Sequence, residues 1–163
     1  MNLIVAVDNK WGIGKDNHLL ASLPGDMKYF KEQTMGKVVV MGRKTFESIP
    51  GGKGLPKRTN MVVTSNTNFN AEGVVVVHDE KELFDEVNKY DAEDVFLIGG
   101  ASLYNRYYKI CGKLYITKID ADLGADTFIV NIDEDMNFHV VSESETKQDN
   151  GIEYKFTVYE RRI

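Results

Sequence analysis

Short runs of apolar, largely β-branched residues recur along the chain at Leu3–Val7, Val38–Met41, Met61–Thr64, Val74–Val77, Val95–Ile98 and Leu114–Ile119. Several are apolar throughout rather than alternating, the pattern of strands covered on both faces. Helical segments are expected between them, over Gly25–Thr34, Arg43–Ile49, Ala101–Tyr108 and after Asp79. There Asp79-Glu80-Lys81-Glu82 reads as a capping box, and Leu83, Val87 and Tyr90 mark one face of the helix it opens. Strands alternating with helices predict an α/β fold, with a mostly parallel sheet and helices on both faces. The tail breaks this alternation. Phe138–Glu145 and Ile152–Tyr159 flank Asn150-Gly151, a two-residue hairpin signal. The central sheet is therefore expected to be mixed, ending in an antiparallel C-terminal hairpin.

With 163 residues, 42% hydrophobic and 28% charged, the chain fits one ordinary globular domain. Cys111 is the only cysteine, so neither a disulfide framework nor a cysteine metal site is expected, and a buried thiol is the plain reading. A net charge of −5 argues against a nucleic-acid or anionic-membrane partner. The apolar stretch Leu3–Val7 ends at Asp8, too early for a signal-peptide core, and no run approaches the roughly 20 apolar residues of a membrane span. The expected location is the cytoplasm.

Two strand-to-helix junctions carry anion chemistry. In Val38-Val39-Val40-Met41-Gly42-Arg43-Lys44-Thr45 a strand meets a glycine, and then a helix whose first turn holds two cations and a hydroxyl. Cations are poorly placed there against the helix dipole, so either a phosphate accounts for them or they are simply solvated. In Val95-Phe96-Leu97-Ile98-Gly99-Gly100-Ala101-Ser102 paired glycines let a ligand approach the backbone, or merely make a tight turn. Together the junctions suit a ligand with more than one phosphate.

Other fingerprints are missing. Gly12-Ile13-Gly14 begins a G-x-G, but Asn17 stands at the third glycine position, and the chain has no P-loop and no G-x-S-x-G elbow. His18, His78 and His139 lack metal-ligand spacing, so no metal is expected.

Asp26 opens a helix in Leu23-Pro24-Gly25-Asp26 and shares a face with Tyr29 and Phe30. If that face lines a cleft, desolvation raises its pKa toward neutrality; the alternative is an acid merely stabilised by the helix dipole.

In this order and spacing the residues resemble dihydrofolate reductases over nearly the whole chain. The resemblance is carried by Leu3–Asp8, Gly12–Asn17, Leu23–Asp26, Val40–Ile49, Leu55-Pro56-Lys57-Arg58, Ile98–Ala101 and Leu114–Thr117. It implies an NADPH-dependent oxidoreductase of one-carbon metabolism that reduces dihydrofolate to tetrahydrofolate. Hydride would reach C6 of the pterin and a proton N5. Asp26 matches the pterin-binding acid, able to accept bidentately from the 2-amino group and ring N–H, and Thr117 matches the threonine that supports it. Val5, Ala6, Phe30, Ser48, Ile49 and Leu55 would wall the substrate pocket, and Arg58 would meet the glutamate tail.

On the cofactor side the resemblance places Ala6, Ile13, Ile98 and Tyr104 near the nicotinamide, with Gly14 and Leu19 among the other cofactor contacts. Gly42, Arg43, Lys44, Thr45, Gly99, Gly100, Ala101, Ser102 and Leu103 would hold the phosphates. Arg43, with Thr64 and Ser65, would read the 2′-phosphate. Residues 37–105 would carry the adenosine end, and Asn9–Ser22 would close as a lid. The expected partners are dihydrofolate and antifolate inhibitors, with neither nucleic acid nor membrane, in a monomer.

Two positions depart from the family pattern. Leu20-Ala21 stands where most members have Pro-Trp, and Ala125-Asp126-Thr127 where they have Gly-Asp-Thr. A related pyrimidine or pterin reductase, or an NADPH- and folate-binding protein without turnover, would share much of this pattern.

Overall fold

The structure is a computed structural model that describes residues 1–162. The first half runs β1 (Asn2–Val7), β2 (Gly12–Lys15), β3 (His18–Leu19), α1 (Pro24–Thr34), β4 (Val38–Gly42), α2 (Arg43–Ser48), β5 (Thr59–Val63) and β6 (Val75–Val77). The second half runs α3 (Glu80–Val87), β7 (Val95–Gly99), α4 (Ala101–Tyr107), β8 (Lys113–Ile119), β9 (Thr127–Phe128), β10 (Phe138–Glu143), β11 (Lys147–Asp149) and β12 (Ile152–Arg161).

The main sheet has the order β10-β12-β8-β1-β7-β4-β5-β6, with β11 added on β12. From β8 to β6 every pairing is parallel, while β12 is antiparallel to β8 and to both β10 and β11. This is the mixed sheet expected, including the hairpin at Asn150-Gly151. There both turn residues take positive φ, 53° and 79°, as a tight turn between twisted strands requires.

Alternation along β4 shows why its run carries no polar residue. Val38 and Val40 enter a large cluster with Leu83 of α3 and Tyr104 and Tyr107 of α4. Val39 and Met41 enter a smaller one with Phe46 of α2. All four are essentially buried, each contributing about 1.5–3 kcal/mol. A third cluster, Leu23, Ile119 and Tyr154, lies under the approach to α1.

The helix after Asp79 forms, but it stops at Val87, and Tyr90 lies beyond it, partly exposed. The cap also differs in detail. Asp79 accepts from Glu82 N as expected, at 2.8 Å, but Glu82 reaches back to His78 N rather than to Asp79 N. A second, three-stranded sheet, β3-β2-β9, was not anticipated. Strands of two to four residues are too short to show periodicity. Their one local sign is the turn Asp16-Asn17, both with positive φ.

Candidate active site

The parallel sheet opens at one place. β1 is laddered to β8 over six residue pairs, but to β7 only at Asn2↔Phe96 and Leu3↔Leu97. Beyond Leu3 the two strands part, and the cleft lies at their carboxyl ends, where open α/β sheets bind ligands. The Ile4 carbonyl, left without a ladder partner on that side, accepts from the Tyr104 hydroxyl at 2.8 Å. On the far side of the opening β7 bulges at Ile98, so that Met41 pairs with Gly99. A bulge turns a side chain away from the pleat, and Ile98 packs on the cluster of Val39, Met41, Phe46 and Val62, as Ile49 and Leu55 also do.

Asp26 stands in the first turn of α1. Its Oδ1 accepts from Thr117 Oγ1 at 2.6 Å, and Thr117, on β8, is paired with Ala6 of β1. The acid is therefore fixed to the floor of the sheet next to the opening. Burial pushes its carboxyl above the ordinary range, the Thr117 hydroxyl opposes this, and the charge of Asp149 adds to the rise. Burial is the largest of the influences on its carboxyl. Tyr29, one turn along, stacks on Phe156 with ring centroids 3.9 Å apart, and burial pushes its phenol up to about 12.

The two glycine junctions face each other. A Cβ on Gly42 would lie 4.0 Å from Gly100 N and from Gly99 O, and one on Gly100 would lie 3.6 Å from Thr45 Oγ1. Gly42 and Gly100 are the N-caps of α2 and α4, and neither helix start has a side-chain cap. No acid stands in the first turn of either. Two uncapped helix starts thus face one strip, with Arg43 and Lys44 in the first turn of α2, chemistry that fits a dinucleotide's phosphates. Arg43 lies over the Phe69 ring at 5.4 Å and within 3.5 Å of Glu47. Thr64 and Ser65 follow directly on β5, and the Thr64 carbonyl is 2.9 Å from His78 Nδ1.

Comparison with known proteins matches this arrangement to one family. The family model described as dihydrofolate reductase matches residues 1–161. The chain belongs to the dihydrofolate reductase family. A dihydrofolate reductase of Bacillus subtilis is 40% identical over 163 residues, covering 99% of this chain and 95% of that one. One from Haemophilus influenzae is 37% identical over 164 residues, covering 99% and 98%. Among solved structures, dihydrofolate reductase from Enterococcus faecalis, complexed with NADP(H) and RAB-propyl, superposes with a TM-score of 0.86 at 34% identity. That match covers 99% of this chain and 96% of the other.

Within this dihydrofolate reductase some of the residues expected at the site lie around the opening and others do not. Ala6, Asp26 and Thr117 meet there, with Ile49, Leu55 and Ile98 in the adjoining cluster. Phe30 is half-buried on α1. Val5 differs from its neighbour. Its side chain packs on the opposite face with the large cluster, so its share of the cleft is backbone. Ser48 is exposed and donates to the Thr45 carbonyl at 2.6 Å. Ile13 and Leu103 pack on the large cluster, whereas Leu19, on β3, is 80% exposed. Arg58 donates to the Pro56 carbonyl and to Thr34 Oγ1, at the other end of α1 from Asp26. Ala101 is half-buried and Ser102 exposed at the start of α4.

The segment Asn9–Ser22 carries β2 and β3, and β2 pairs with β9. Asp16 N donates to Asp126 Oδ2 and Asp126 N to the Gly14 carbonyl, each at 3.0 Å, so Ala125 does not prevent docking. Ala21 rests against the cluster of Leu23, Ile119 and Tyr154. Asp8 is not among the residues expected at the site. It is 3% exposed and accepts from the amides of Lys10, Gly12 and Leu123, tying the base of the lid to the loop after β8. Its signal was local: an acid ending a strand, followed by Asn-Lys-Trp-Gly. Among the described residues no cluster of three or more His, Cys, Asp or Glu could hold a metal, and no helix is long and apolar enough to cross a membrane. Cys111 is fully buried, its thiol pushed up to about 12 by that burial.

Proposed function

We propose that this chain reduces 7,8-dihydrofolate to 5,6,7,8-tetrahydrofolate at the opening between β1 and β7, with NADPH as reductant. The observation that carries the reading is the desolvated Asp26, tied to Thr117, together with two uncapped helix starts at glycines, one of them bearing Arg43 and Lys44. Bound NADPH supplies the hydride for C6, and one proton is taken up at N5, so NADP⁺ and tetrahydrofolate leave.

The chain's own residues bind, orient and manage the proton. Asp26 accepts from the planar donor pair of the pterin, and Thr117 holds the carboxylate through its hydrogen bond to Oδ1. Because its carboxyl holds a proton more readily than an ordinary aspartate, Asp26 keeps that proton available for N5, through water, nearer to neutral pH. Ala6, Phe30, Ile49 and Leu55 offer the apolar wall against which a flat ring loses water. Arg58, partly buried and with one guanidinium nitrogen free of the bonds to Pro56 and Thr34, meets the carboxylate tail.

For the cofactor, Gly42 to Thr45 and Gly99 to Leu103 take the phosphates, and Arg43 with Thr64 and Ser65 the 2′-phosphate. Ala6, Ile13, Gly14, Ile98 and Tyr104 bound the nicotinamide end. Residues 37–105 contain both phosphate junctions and form the adenosine part. Closure of Asn9–Ser22 excludes water from the hydride path. The enzyme acts as a monomer in the cytoplasm without nucleic acid; its net charge of −5 and single buried thiol suit that setting.

The test is the absorbance of NADPH mixed with the purified protein, with and without dihydrofolate. Oxidation that depends on dihydrofolate is expected. NADPH bound but not consumed would make the chain a binding protein, and oxidation only with a pyrimidine sugar phosphate would move it to a related reductase.

A further inference from the structure

α1 starts without help from its own neighbours. Leu23, its N-cap, makes no side-chain bond to the helix. The missing acceptor comes from the far end of the chain. Asp149, at the end of β11, accepts from Gly25 N at 2.7 Å and, through the same oxygen, from the Tyr154 hydroxyl at 2.7 Å. Tyr154 is 2% exposed, so this carboxylate is anchored from below by a side chain that cannot move away. The fit explains the glycine. A Cβ at Gly25 would stand 2.1 Å from Tyr154 Oη and 2.9 Å from Asp149 Oδ2. From the same turn, Asn150 Nδ2 donates to the Ser22 carbonyl at 3.2 Å, so the hairpin grips the chain on both sides of Leu23-Pro24.

We propose that Asp149 is a positioning residue for the reduction: from the β11–β12 turn it clamps the first turn of α1 and so sets where Asp26 stands over the sheet. The proposal rests on the reductase reading above. Gly25 is the residue before Asp26, so a shift in the clamp is passed directly to the acid. Asp149 also places a second negative charge near Asp26. The groups around Asp26 are the Thr117 hydroxyl from β8, the phenols of Tyr29 from α1, Tyr104 from α4 and Tyr154 from β12, and Asp149 from β11. Of these Asp149 alone is charged near neutrality, because the bonds from Tyr154 and Gly25 hold its carboxyl below the usual range. It therefore favours the protonated form of Asp26.

The experiment compares wild type, Asp149→Ala and Asp149→Asn as full chains, reading kcat/KM for dihydrofolate against pH and, separately, NADPH affinity by fluorescence. Asp149→Ala removes the acceptor and should lower kcat/KM about tenfold, with NADPH affinity unchanged. Asp149→Asn keeps an acceptor for Gly25 N and Tyr154 and should recover most of that loss. Its fall of activity at alkaline pH should nevertheless move to lower pH, since the charge is gone. A purely structural role would not produce that split. Wild-type kcat/KM in Asp149→Ala, equal damage in both variants, equal loss of NADPH affinity, or an unmoved alkaline limb in Asp149→Asn would each overturn the proposal. Failure of wild type to oxidise NADPH would instead refute the reductase reading, which keeps the two outcomes apart.

Discussion

Replacing Thr117 with valine removes one oxygen and keeps the shape of the side chain. Thr117 is 2% exposed, so no water can take up the lost hydroxyl from beneath, and Asp26 Oδ1 loses a donor at 2.6 Å. A hydrogen bond to a charged group contributes about 1.5–3 kcal/mol. If the bond serves the bound state, kcat/KM for dihydrofolate should fall roughly 10- to 150-fold. The pH dependence sharpens the test. The reduction takes up a proton, so turnover falls as pH rises through the pKa of the acid that holds it. Thr117 favours the ionised form of Asp26, so its removal lets burial raise the pKa further and moves the alkaline limb to higher pH. Initial rates with dihydrofolate across pH measure both effects, and thermal unfolding checks that the valine is accommodated. A variant with wild-type kcat/KM, or an alkaline limb displaced to lower pH, would refute this reasoning.

Two further substitutions probe the site. Asp26→Asn should lower turnover near neutrality about 10²–10⁴-fold, the usual share of a positioned acid, as measured by steady-state NADPH oxidation. The same variant should be more stable than wild type near neutrality. A raised folded pKa means the fold favours the protonated carboxyl, a preference fully expressed below the unfolded value of about 3.9 and lost as pH rises through the folded value. Asparagine imitates the neutral acid, so the difference in melting temperature should close in acid; a gap that persists there would mean another cause. Arg43→Ala should weaken NADPH roughly 10- to 100-fold and NADH hardly at all, as the KM for each cofactor reports. Equal losses would place recognition of the 2′-phosphate elsewhere.

How much of this the sequence disclosed depended on the range of the forces involved. Val38–Met41 announced a strand buried on both faces because both faces of β4 are in fact covered by apolar clusters. Asn150-Gly151 announced its hairpin because its two positive φ angles demand such residues locally. β2, β3 and β9 stayed hidden because their order comes from pairing with one another and from Asp126, not from a local repeat. Asp26 was visible as an acid at a helix start, but sequence alone could not choose between dipole and desolvation. Burial in the folded chain raises its pKa, while its hydrogen-bond partner Thr117 Oγ1 is 91 residues away, and Asp149 meets Gly25 across 124. Val5 was assigned to the pocket together with Ala6, although alternation in β1 sends their side chains to opposite faces.

The central claim is that one cleft, gripped at Asp26 and lined by the strand ends of β1 and β7, brings the pterin's C6 to the reduced nicotinamide. Supplying NADPH deuterated at its transferable position and analysing the product by mass spectrometry and NMR tests it most directly. The tetrahydrofolate formed should carry a single deuterium, at C6, in direct proportion to turnover. Product without the label, or label found at another ring position, would contradict the account.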